Sequence, residues 1–155
     1  MTKKIGIVAL KLNHSLSPLI HNYWSKKLNL KFKYNKYELK EKNINKFFTN
    51  FKKNINFKGF NVTIPYKEIF LEQCDRISVK ANQIGSINLI YKKNGLIYGD
   101  NTDIVGFRKC YKSLNINNPK SILVVGAGGA ARSILYYLNN KKFNNIDIYA
   151  PSMKR

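Results

Sequence analysis

Acidic residues are scarce in this chain of 155 residues, and so are cysteines and long apolar runs. Eight Asp and Glu stand against 28 Lys and Arg, which gives a formal net charge of +20. The two cysteines, Cys74 and Cys110, are far apart and form no C-x-x-C pair, as is typical of proteins of a reducing cytosol. No stretch approaches the ~20 apolar residues of a membrane helix. These scarcities predict a soluble, cytoplasmic protein without a disulfide framework.

The basic residues are spread along the chain rather than concentrated in one segment. Lysines occur in scattered pairs such as Lys26-Lys27 and Lys52-Lys53, and no run of basic residues reaches five. Lys far outnumbers Arg, although Arg is the better reader of bases. Lys, Asn, Ile, Tyr and Phe all have A- or T-rich codons, so drift in base composition explains the excess. We therefore expect no nucleic-acid partner, with sequence-independent phosphate binding as the rival interpretation.

The spacing of apolar residues predicts alternating strands and helices. The predicted strands are Ile5–Leu10, Phe32–Leu39, Phe57–Ile64, Ser86–Tyr91, Gly95–Tyr98, Ser121–Val125 and Asn145–Tyr149. Three sets of residues recur at helical spacing: Leu19, Ile20, Tyr23, Trp24 and Leu28; Ile44, Phe47, Phe48, Phe51 and Ile55; and Ile134, Leu135 and Leu138. A further helix is predicted over Arg76–Gln83. This order of elements predicts an α/β fold.

The chain divides into two predicted units that are joined by a helix. Residues 1–100 form an N-terminal α/β domain, and residues 101–118 form the connecting helix. The candidate N-caps of this helix are Asn101, Thr102 and Asp103. Its apolar face consists of Ile104, Phe107, Tyr111 and Leu114. Residues 119–155 begin a Rossmann-type β-α-β unit, which we expect to be incomplete because it contains only two strands.

A glycine-rich turn separates the strand Ser121–Val125 from the next helix. Its sequence, "GAGGAA", comprises Gly126, Ala127, Gly128, Gly129, Ala130 and Ala131. Glycines allow a tight turn and a close approach of the backbone, so a pyrophosphate can bind at the helix N-terminus. The turn predicts a dinucleotide site, with a glycine-rich turn that binds no ligand as the alternative.

The end of the β-α-β unit favours NADP over NAD. NAD-binding proteins usually carry Asp or Glu ~20 residues beyond the glycines. No acidic residue follows Tyr149 here, and Asp147 lies inside the predicted strand. Lys154 and Arg155 follow instead. Two cations near the ribose suit a 2′-phosphate, although cations near a chain end can simply be solvated.

The segment "GFNVTIPYKE" places three polar groups at the end of a predicted strand. Asn61 and Thr63 are two residues apart, so their side chains lie on one side of the strand. Pro65 ends the strand, and Lys67 turns in beside them. An amide, a hydroxyl and an ammonium group in this arrangement predict the wall of a pocket.

Three other segments supply similar groups. In "NHSLSP", the hydroxyls of Ser15 and Ser17 can point the same way and suit a carboxylate, with a local turn or a helix cap as the alternative. "GSINLI" places Asn88 at the start of a strand. "GDNTD" places Asp103 at the start of a helix, where the helix dipole stabilises a carboxylate, with an ordinary N-cap as the alternative.

Together these side chains suit a small polyhydroxylated acid. Amides and a carboxylate bind hydroxyl groups, serines bind the acid group, and a Lys–Asp pair transfers a proton. No Cys/His set has metal-ligand spacing, and no serine stands in G-x-S-x-G. The set therefore predicts alcohol–ketone interconversion beside a nicotinamide, without a metal.

Five ordered blocks carry a family resemblance: "SLSPLIHN", "GFNVTIPYK", "GSINLI", "GDNTDIVGF" and "GAGGAAR". In order and spacing they resemble the signature blocks of shikimate dehydrogenases, and the resemblance spans nearly the whole chain. It implies NADPH-dependent reduction of 3-dehydroshikimate to shikimate, in chorismate and aromatic amino acid biosynthesis.

The resemblance also implies roles for individual residues. The implied substrate ligands are Ser15, Ser17, Asn61, Thr63, Lys67, Asn88 and Asp103. The serines would hold the substrate carboxylate, and the amides, the threonine and the aspartate would bind the ring hydroxyls. Lys67 and Asp103 are the implied catalytic pair, with Lys67 as the acid/base at the reacting oxygen. The turn from Gly126 to Ala131 is the implied binding site of the NADP pyrophosphate.

The chain departs from the family pattern at two positions. Ser86-Ile87-Asn88-Leu89 stands where the family usually has Ala-x-Asn-Thr, so one hydroxyl beside the pocket is lost. Ala150-Pro151-Ser152 stands where the family typically has Asn-Arg-Thr, whose Arg holds the 2′-phosphate. Pro151 cannot do this, and Lys154 or Arg155 is the expected substitute.

The chain also departs from the family in length. Family members continue through the rest of the Rossmann sheet and a C-terminal helix that returns to the substrate domain. We therefore expect an exposed apolar sheet edge, with self-association, for example as a homodimer, or instability as the consequence. Three interpretations stay open: a shikimate dehydrogenase completed by further sequence or another polypeptide, a truncated remnant that only binds shikimate, and a quinate/shikimate dehydrogenase.

Overall fold

The computed structural model describes residues 2–116 and 119–150, which form two β-sheets with packed helices. The strands are β1 (Lys3–Ala9), β2 (Phe32–Glu38), β3 (Phe57–Val62), β4 (Arg76–Ile77), β5 (Leu89–Lys93), β6 (Leu96–Asp100), β7 (Ile122–Val125) and β8 (Ile146–Tyr149). The helices are α1 (Ser17–Lys27), α2 (Ile44–Lys53), α3 (Val79–Ile84), α4 (Asp103–Ser113) and α5 (Gly129–Asn140). This arrangement confirms the predicted α/β class.

The larger sheet brings four chain segments to one edge. Its strand order is β2-β1-β3-β5-β6-β4, and β1 is parallel to both β2 and β3. β5 is antiparallel to β3 and forms a hairpin with β6, closed by Asn94 and Gly95 at positive φ. Leu89 at the start of β5 pairs with Asn61 near the end of β3 and with Asp100 at the end of β6. The segments after β1, β3 and β6 therefore meet the segment before β5.

An aromatic core lies between the larger sheet and α2. This helix buries Ile44, Phe48 and Phe51, at the spacing that its sequence predicts. The ring of Phe51 meets Phe57 and Phe60 of β3 edge-to-face, at centroid distances of 4.9 and 5.0 Å. Each such pair contributes about 0.5–1.5 kcal/mol beyond its area burial. The core therefore anchors β3 and the polar segment that follows it.

The smaller sheet consists of β7 and β8, which are parallel and connected by α5. This is the start of a Rossmann-type fold, as predicted. α5 packs against α4, where the ring centroids of Tyr137 and Phe107 are 5.5 Å apart. On β7, Val124 is buried, but its neighbours Leu123 and Val125 are exposed at 64% and 70%. One apolar face of this sheet is therefore open, whereas the sequence predicted an exposed edge.

The helix predicted over Arg76–Gln83 is wrong in its N-terminal half. Residues Arg76–Ile77 form β4, which pairs with β6, and the helix begins only at Val79. Ser78 caps it by accepting a hydrogen bond from the N–H of Ala81 at 3.3 Å. A serine before a helical segment is a recognisable start signal, so the sequence held the correct boundary.

α1 forms where the sequence predicts it, but its periodic apolar residues face outward. Leu19, Tyr23 and Trp24 are 71%, 57% and 50% exposed. The helix is attached to the sheet by its polar side, because Asn22 and Ser25 donate hydrogen bonds to backbone carbonyls in and before β2. Apolar periodicity therefore identifies this helix but not the face that packs.

Three apolar residues lie beyond the elements in which they were predicted. Ile55 and Leu114 follow the ends of α2 and α4, and Ile64 follows the end of β3. All three are exposed. In each case the element ends before its apolar pattern does.

Candidate active site

An ion pair lies at the edge where β3 and β6 end. Asp103 is the first residue of α4, and its Oδ2 lies 2.5 Å from Nζ of Lys67. Lys67 stands in the turns that follow Pro65, beyond the end of β3. The two side chains are 14% and 30% exposed. Partial burial and the N-terminus of α4 both favour a persistent pair, which fixes an ammonium donor at the end of the sheet.

Asn88 holds the second oxygen of the same carboxylate. Its Nδ2 donates to Oδ1 of Asp103 at 2.7 Å. Its own Oδ1 accepts from the N–H and the hydroxyl of Thr102, at 2.8 and 3.0 Å. Thr102 occupies the N-cap position of α4, but its side chain does not cap the helix. Two sequence-predicted residues are thus brought together, and Thr102, predicted only as a cap, serves to orient Asn88.

Tyr34 is a site residue that sequence reasoning missed. Its hydroxyl donates to Oδ1 of Asn61 at 2.8 Å and is also hydrogen-bonded to Ser17. Nδ2 of Asn61 in turn donates to the backbone carbonyl of Asn88 at 3.2 Å. Burial raises the pKa of Tyr34 to about 12, an effect that the contact with Ser17 partly offsets. The hydroxyl therefore stays protonated and fixes the orientation of the Asn61 amide.

The two predicted serines line one cleft together with Thr63. The cleft has a volume of about 620 Å³, and Lys11 and His14 also contribute to its wall. Ser15 lies in the loop after β1, and Ser17 is the first residue of α1. Thr63 lies next to β1, because its N–H donates to the carbonyl of Val8 at 3.0 Å. All seven residues predicted to bind substrate therefore lie along this one edge of the sheet.

The glycine turn has the backbone conformation that its sequence predicts. Gly126 has a φ of +111°, in the region that side chains disfavour. A Cβ at Gly126 or Gly128 would meet nothing within 4 Å, so the backbone here is open to a ligand. No side chain caps α5 in the described part of the chain. An uncapped helix N-terminus behind an open glycine turn fits a pyrophosphate.

Gly129 packs directly against the ion pair's lysine. A Cβ at this position would lie 2.5 Å from Oγ of Ser86 and 3.1 Å from Cδ of Lys67. Only glycine permits this approach, which brings the cofactor-type turn into contact with the candidate site. The Ser86 hydroxyl is buried and has no hydrogen-bond partner among the described residues. Ser86 is the position where the chain departs from the family's usual alanine.

Other sequence predictions concern the choice between NADP and NAD, metal binding and membrane crossing. Asp147 lies within β8, as predicted. Pro151, Lys154 and Arg155 lie outside the described residues, so the residues expected at the 2′-phosphate have no structural description. Over residues 2–116 and 119–150, no group of three His, Cys, Asp or Glu side chains could hold a metal ion. None of the described helices has the length and apolar character that crossing a membrane requires.

Comparison with known proteins gives one consistent family. Residues 7–90 match the family described as "Shikimate dehydrogenase substrate binding domain". Over 145 residues the chain is 45% identical to shikimate dehydrogenase (NADP(+)) of Clostridium perfringens, covering 93% of this chain and 53% of that protein. The chain thus spans about half the length of the curated relatives that it matches.

Solved structures agree with this result. A shikimate dehydrogenase from Peptoclostridium difficile superposes with a TM-score of 0.88 at 31% identity, over 99% of this chain and 58% of that one. A shikimate 5-dehydrogenase from Thermus thermophilus, solved with NADP(H) and shikimate, superposes with a TM-score of 0.84 at 27% identity, over 97% of this chain and 57% of that one.

Proposed function

Since the chain belongs to the shikimate dehydrogenase family, we propose that it reduces 3-dehydroshikimate to shikimate with NADPH. The observation that carries the proposal is the Lys67–Asp103–Asn88 cluster, in which one carboxylate holds an ammonium group and an amide at 2.5 and 2.7 Å. Alcohol–ketone interconversion needs a positioned proton donor of this kind. The cluster lies beside the hydroxyl-lined cleft and the glycine turn that the reaction also requires.

Substrate binding is assigned to the polar edge of the larger sheet. Ser15 and Ser17 bind the carboxylate of shikimate through their hydroxyls. Asn61, Thr63, Asn88 and Asp103 bind the ring hydroxyls. The Tyr34 hydroxyl donates a hydrogen bond to the side-chain oxygen of Asn61, so the Asn61 amide presents an N–H group to the ligand. The assignment is supported by the cleft that Ser15, Ser17 and Thr63 line together and by the hydrogen bonds that connect Asn61, Asn88 and Asp103.

Proton transfer is assigned to Lys67. During reduction its ammonium group donates a proton to the carbonyl oxygen that becomes a hydroxyl, and the amine then regains a proton from solvent. Asp103 accepts a hydrogen bond from the ammonium group and keeps it in place, and Asn88 fixes the carboxylate. Preorganised charge of this kind stabilises a developing alkoxide.

The glycine turn is assigned to the cofactor. Gly126 to Ala131 would hold the pyrophosphate of NADP at the N-terminus of α5. NADPH, when bound, supplies the hydride. The preference for NADP over NAD is supported by the sequence of residues 150–155, which contains no acidic residue, and by the name of the Clostridium perfringens relative.

The test is an assay of NADPH absorbance with the 155-residue chain and 3-dehydroshikimate. We expect turnover, and we expect Lys67→Ala to reduce kcat at least a hundredfold, because it removes the proton donor. Lys80→Ala is the matched control, since Lys80 also forms an ion pair, with Asp100 at 3.2 Å. No turnover, with shikimate still raising the melting temperature, would instead indicate a protein that only binds shikimate. Comparing quinate with shikimate in the oxidation direction separates the two substrates.

Assembly and location form part of the same proposal. The division into a substrate-binding domain, a connecting helix and a cofactor unit follows the two sheets and α4. A second copy of the chain is proposed to cover the open face that carries Leu123 and Val125. Light scattering at increasing concentration tests this, with a strictly monomeric protein as the contrary result.

The unpaired thiols of Cys74 and Cys110 support a cytoplasmic location.

A further inference from the structure

Asn101 is a fully buried polar residue that lies two positions before Asp103. Its Oδ1 accepts a hydrogen bond from the backbone N–H of Asp103 at 3.0 Å. Its Nδ2 donates to the carbonyl of Ser86 at 2.9 Å and to Oγ of Ser133 at 3.0 Å. Both hydrogens of the amide and its oxygen are therefore used. The three partners belong to α4, to the segment before β5, and to α5.

The contact with Ser133 continues to the glycine turn. Oγ of Ser133 donates to the carbonyl of Gly129 at 3.0 Å. Gly129 in turn packs against the side chains of Lys67 and Ser86. One continuous path therefore joins the backbone of Asp103, through Asn101 and Ser133, to the residue at which the glycine turn touches the catalytic lysine.

A buried amide with every group satisfied resists displacement. If α5 moved away from the larger sheet, Asn101 would lose a partner in a place that water does not reach, and an unmade buried hydrogen bond is costly. The same displacement would separate Gly129 from Lys67. The position of the glycine turn relative to the ion pair is thus tied to one side chain.

We propose that Asn101 is a positioning residue, which fixes the glycine turn against Lys67, the lysine of the ion pair. It would touch neither the substrate nor the cofactor, yet cofactor affinity would depend on it through Ser133. This inference rests on the proposed function for its ligands, but the geometry that it describes exists without them.

The decisive variant is Ser133→Ala, which breaks the path to the turn and leaves Asn101 bonded to Asp103 and Ser86. Ser113→Ala is the matched control, because Ser113 also donates to a carbonyl within its own helix, that of Cys110 at 2.7 Å, but lies away from the site. Asn101→Ala breaks the path at its centre. If this variant does not fold, Ser133→Ala still decides the question.

Calorimetry with NADP⁺ and, separately, with shikimate gives the first measurement. We expect Ser133→Ala, which removes both hydrogen bonds of the Ser133 hydroxyl, to weaken NADP⁺ binding at least fivefold and to leave shikimate binding unchanged. Asn101→Ala should weaken both ligands, because it also releases the N–H of Asp103. In the absorbance assay, Ser133→Ala should raise KM for NADPH and leave KM for 3-dehydroshikimate unchanged. A general loss of stability would not separate the two ligands in this way.

Hydrogen exchange on the ligand-free chain gives the second measurement. Both Ser133→Ala and Asn101→Ala should speed exchange in the first two turns of α5, whereas Ser113→Ala should not. Unchanged exchange there, or equal weakening of both ligands by Ser133→Ala, would overturn the positioning role. If the unmodified chain binds neither ligand, the proposed function fails, and the exchange rates alone decide whether Asn101 holds the turn.

Discussion

At the scale of single residues, the side chains of the candidate site hold one another in place through hydrogen bonds. Asn61 uses its carbonyl oxygen on Tyr34, and Asn88 uses its own on Thr102, so both amides keep N–H groups for a ligand. Both oxygens of Asp103 are held as well. A ligand with several hydroxyls therefore binds side chains whose rotamers are already restricted, which lowers the entropy cost of binding.

Tyr34→Phe should weaken shikimate binding about fivefold. The substitution removes the hydroxyl that orients Asn61 and leaves the amide oxygen without its partner, a loss of about 1 kcal/mol. Calorimetry measures the change. Tyr37→Phe is the matched control, because Tyr37 lies on the same strand but packs its ring against Phe57 in the aromatic core. Equal effects of the two substitutions would contradict the role of Tyr34.

The unmodified chain and Tyr34→Phe should differ in how their free energies of unfolding depend on pH. Folding raises the pKa of Tyr34 from 10.0 to about 12, mainly through burial. The stability that comes from the protonated hydroxyl is therefore complete below about pH 10 and is lost as the pH rises toward 12. Urea unfolding at pH 9, 10 and 11 should show the advantage of the unmodified chain over Tyr34→Phe shrinking. A constant advantage would be the contrary result.

At the scale of elements, helices are attached to the larger sheet by different kinds of contact. α2 uses an apolar face, whereas α1 uses Asn22 and Ser25. The C-terminus of α2 is capped by a residue from another element, because Nζ of Lys92 on β5 donates to the carbonyls of Phe51 and Asn54. A cation at this end of a helix satisfies free carbonyls and complements the dipole. The hairpin therefore holds the helix that forms the aromatic core.

Lys92→Met should lower the free energy of unfolding by about 1–2 kcal/mol, because it removes charged hydrogen bonds to helix carbonyls and keeps the apolar stem. Urea unfolding measures the loss. Lys93→Met changes the neighbouring lysine of the same strand, which makes none of these carbonyl contacts among the described residues, and should have little effect. Equal losses in the two variants would show that Lys92 contributes only its charge to the surface.

At the scale of the whole molecule, polar contacts join the two sheets. Tyr136 of α5 donates to Oε1 of Gln83 at 2.7 Å, and Arg132 pairs with Glu68 at 3.3 Å. The Arg132–Glu68 pair is about half exposed, so it contributes little to stability. The apolar seam between α4 and α5 and the buried amide of Asn101 therefore carry most of the attachment.

The net charge of +20 should make stability depend on salt. Self-repulsion destabilises a compact chain of high charge, and salt screens it. The melting temperature should therefore rise between about 10 and 300 mM NaCl. A double variant of exposed lysines, Lys42→Glu and Lys46→Glu, lowers the net charge and should respond less. A melting temperature that falls with salt would contradict this account.

Much of the fold follows from local patterns. Alternation and helical spacing located most strands and helices, and the glycine turn located the start of the Rossmann-type unit. The pairing of Lys67 with Asp103 was expected from the family resemblance, together with the placement of both residues near the ends of predicted elements. Tyr34 could not be expected, since its partners Ser17 and Asn61 reach it only through the order of β1, β2 and β3.

By itself the sequence determined the α/β class, the glycine turn and the types of side chain at the site, because these depend on residue spacing and local conformation. Only the tertiary structure decided which face of α1 packs, that Gly129 touches Lys67, and that Asn101 joins three elements. The reason is physical: a hydrogen bond between residues far apart in the chain exists only once the strand order and the packing of helices have brought them together.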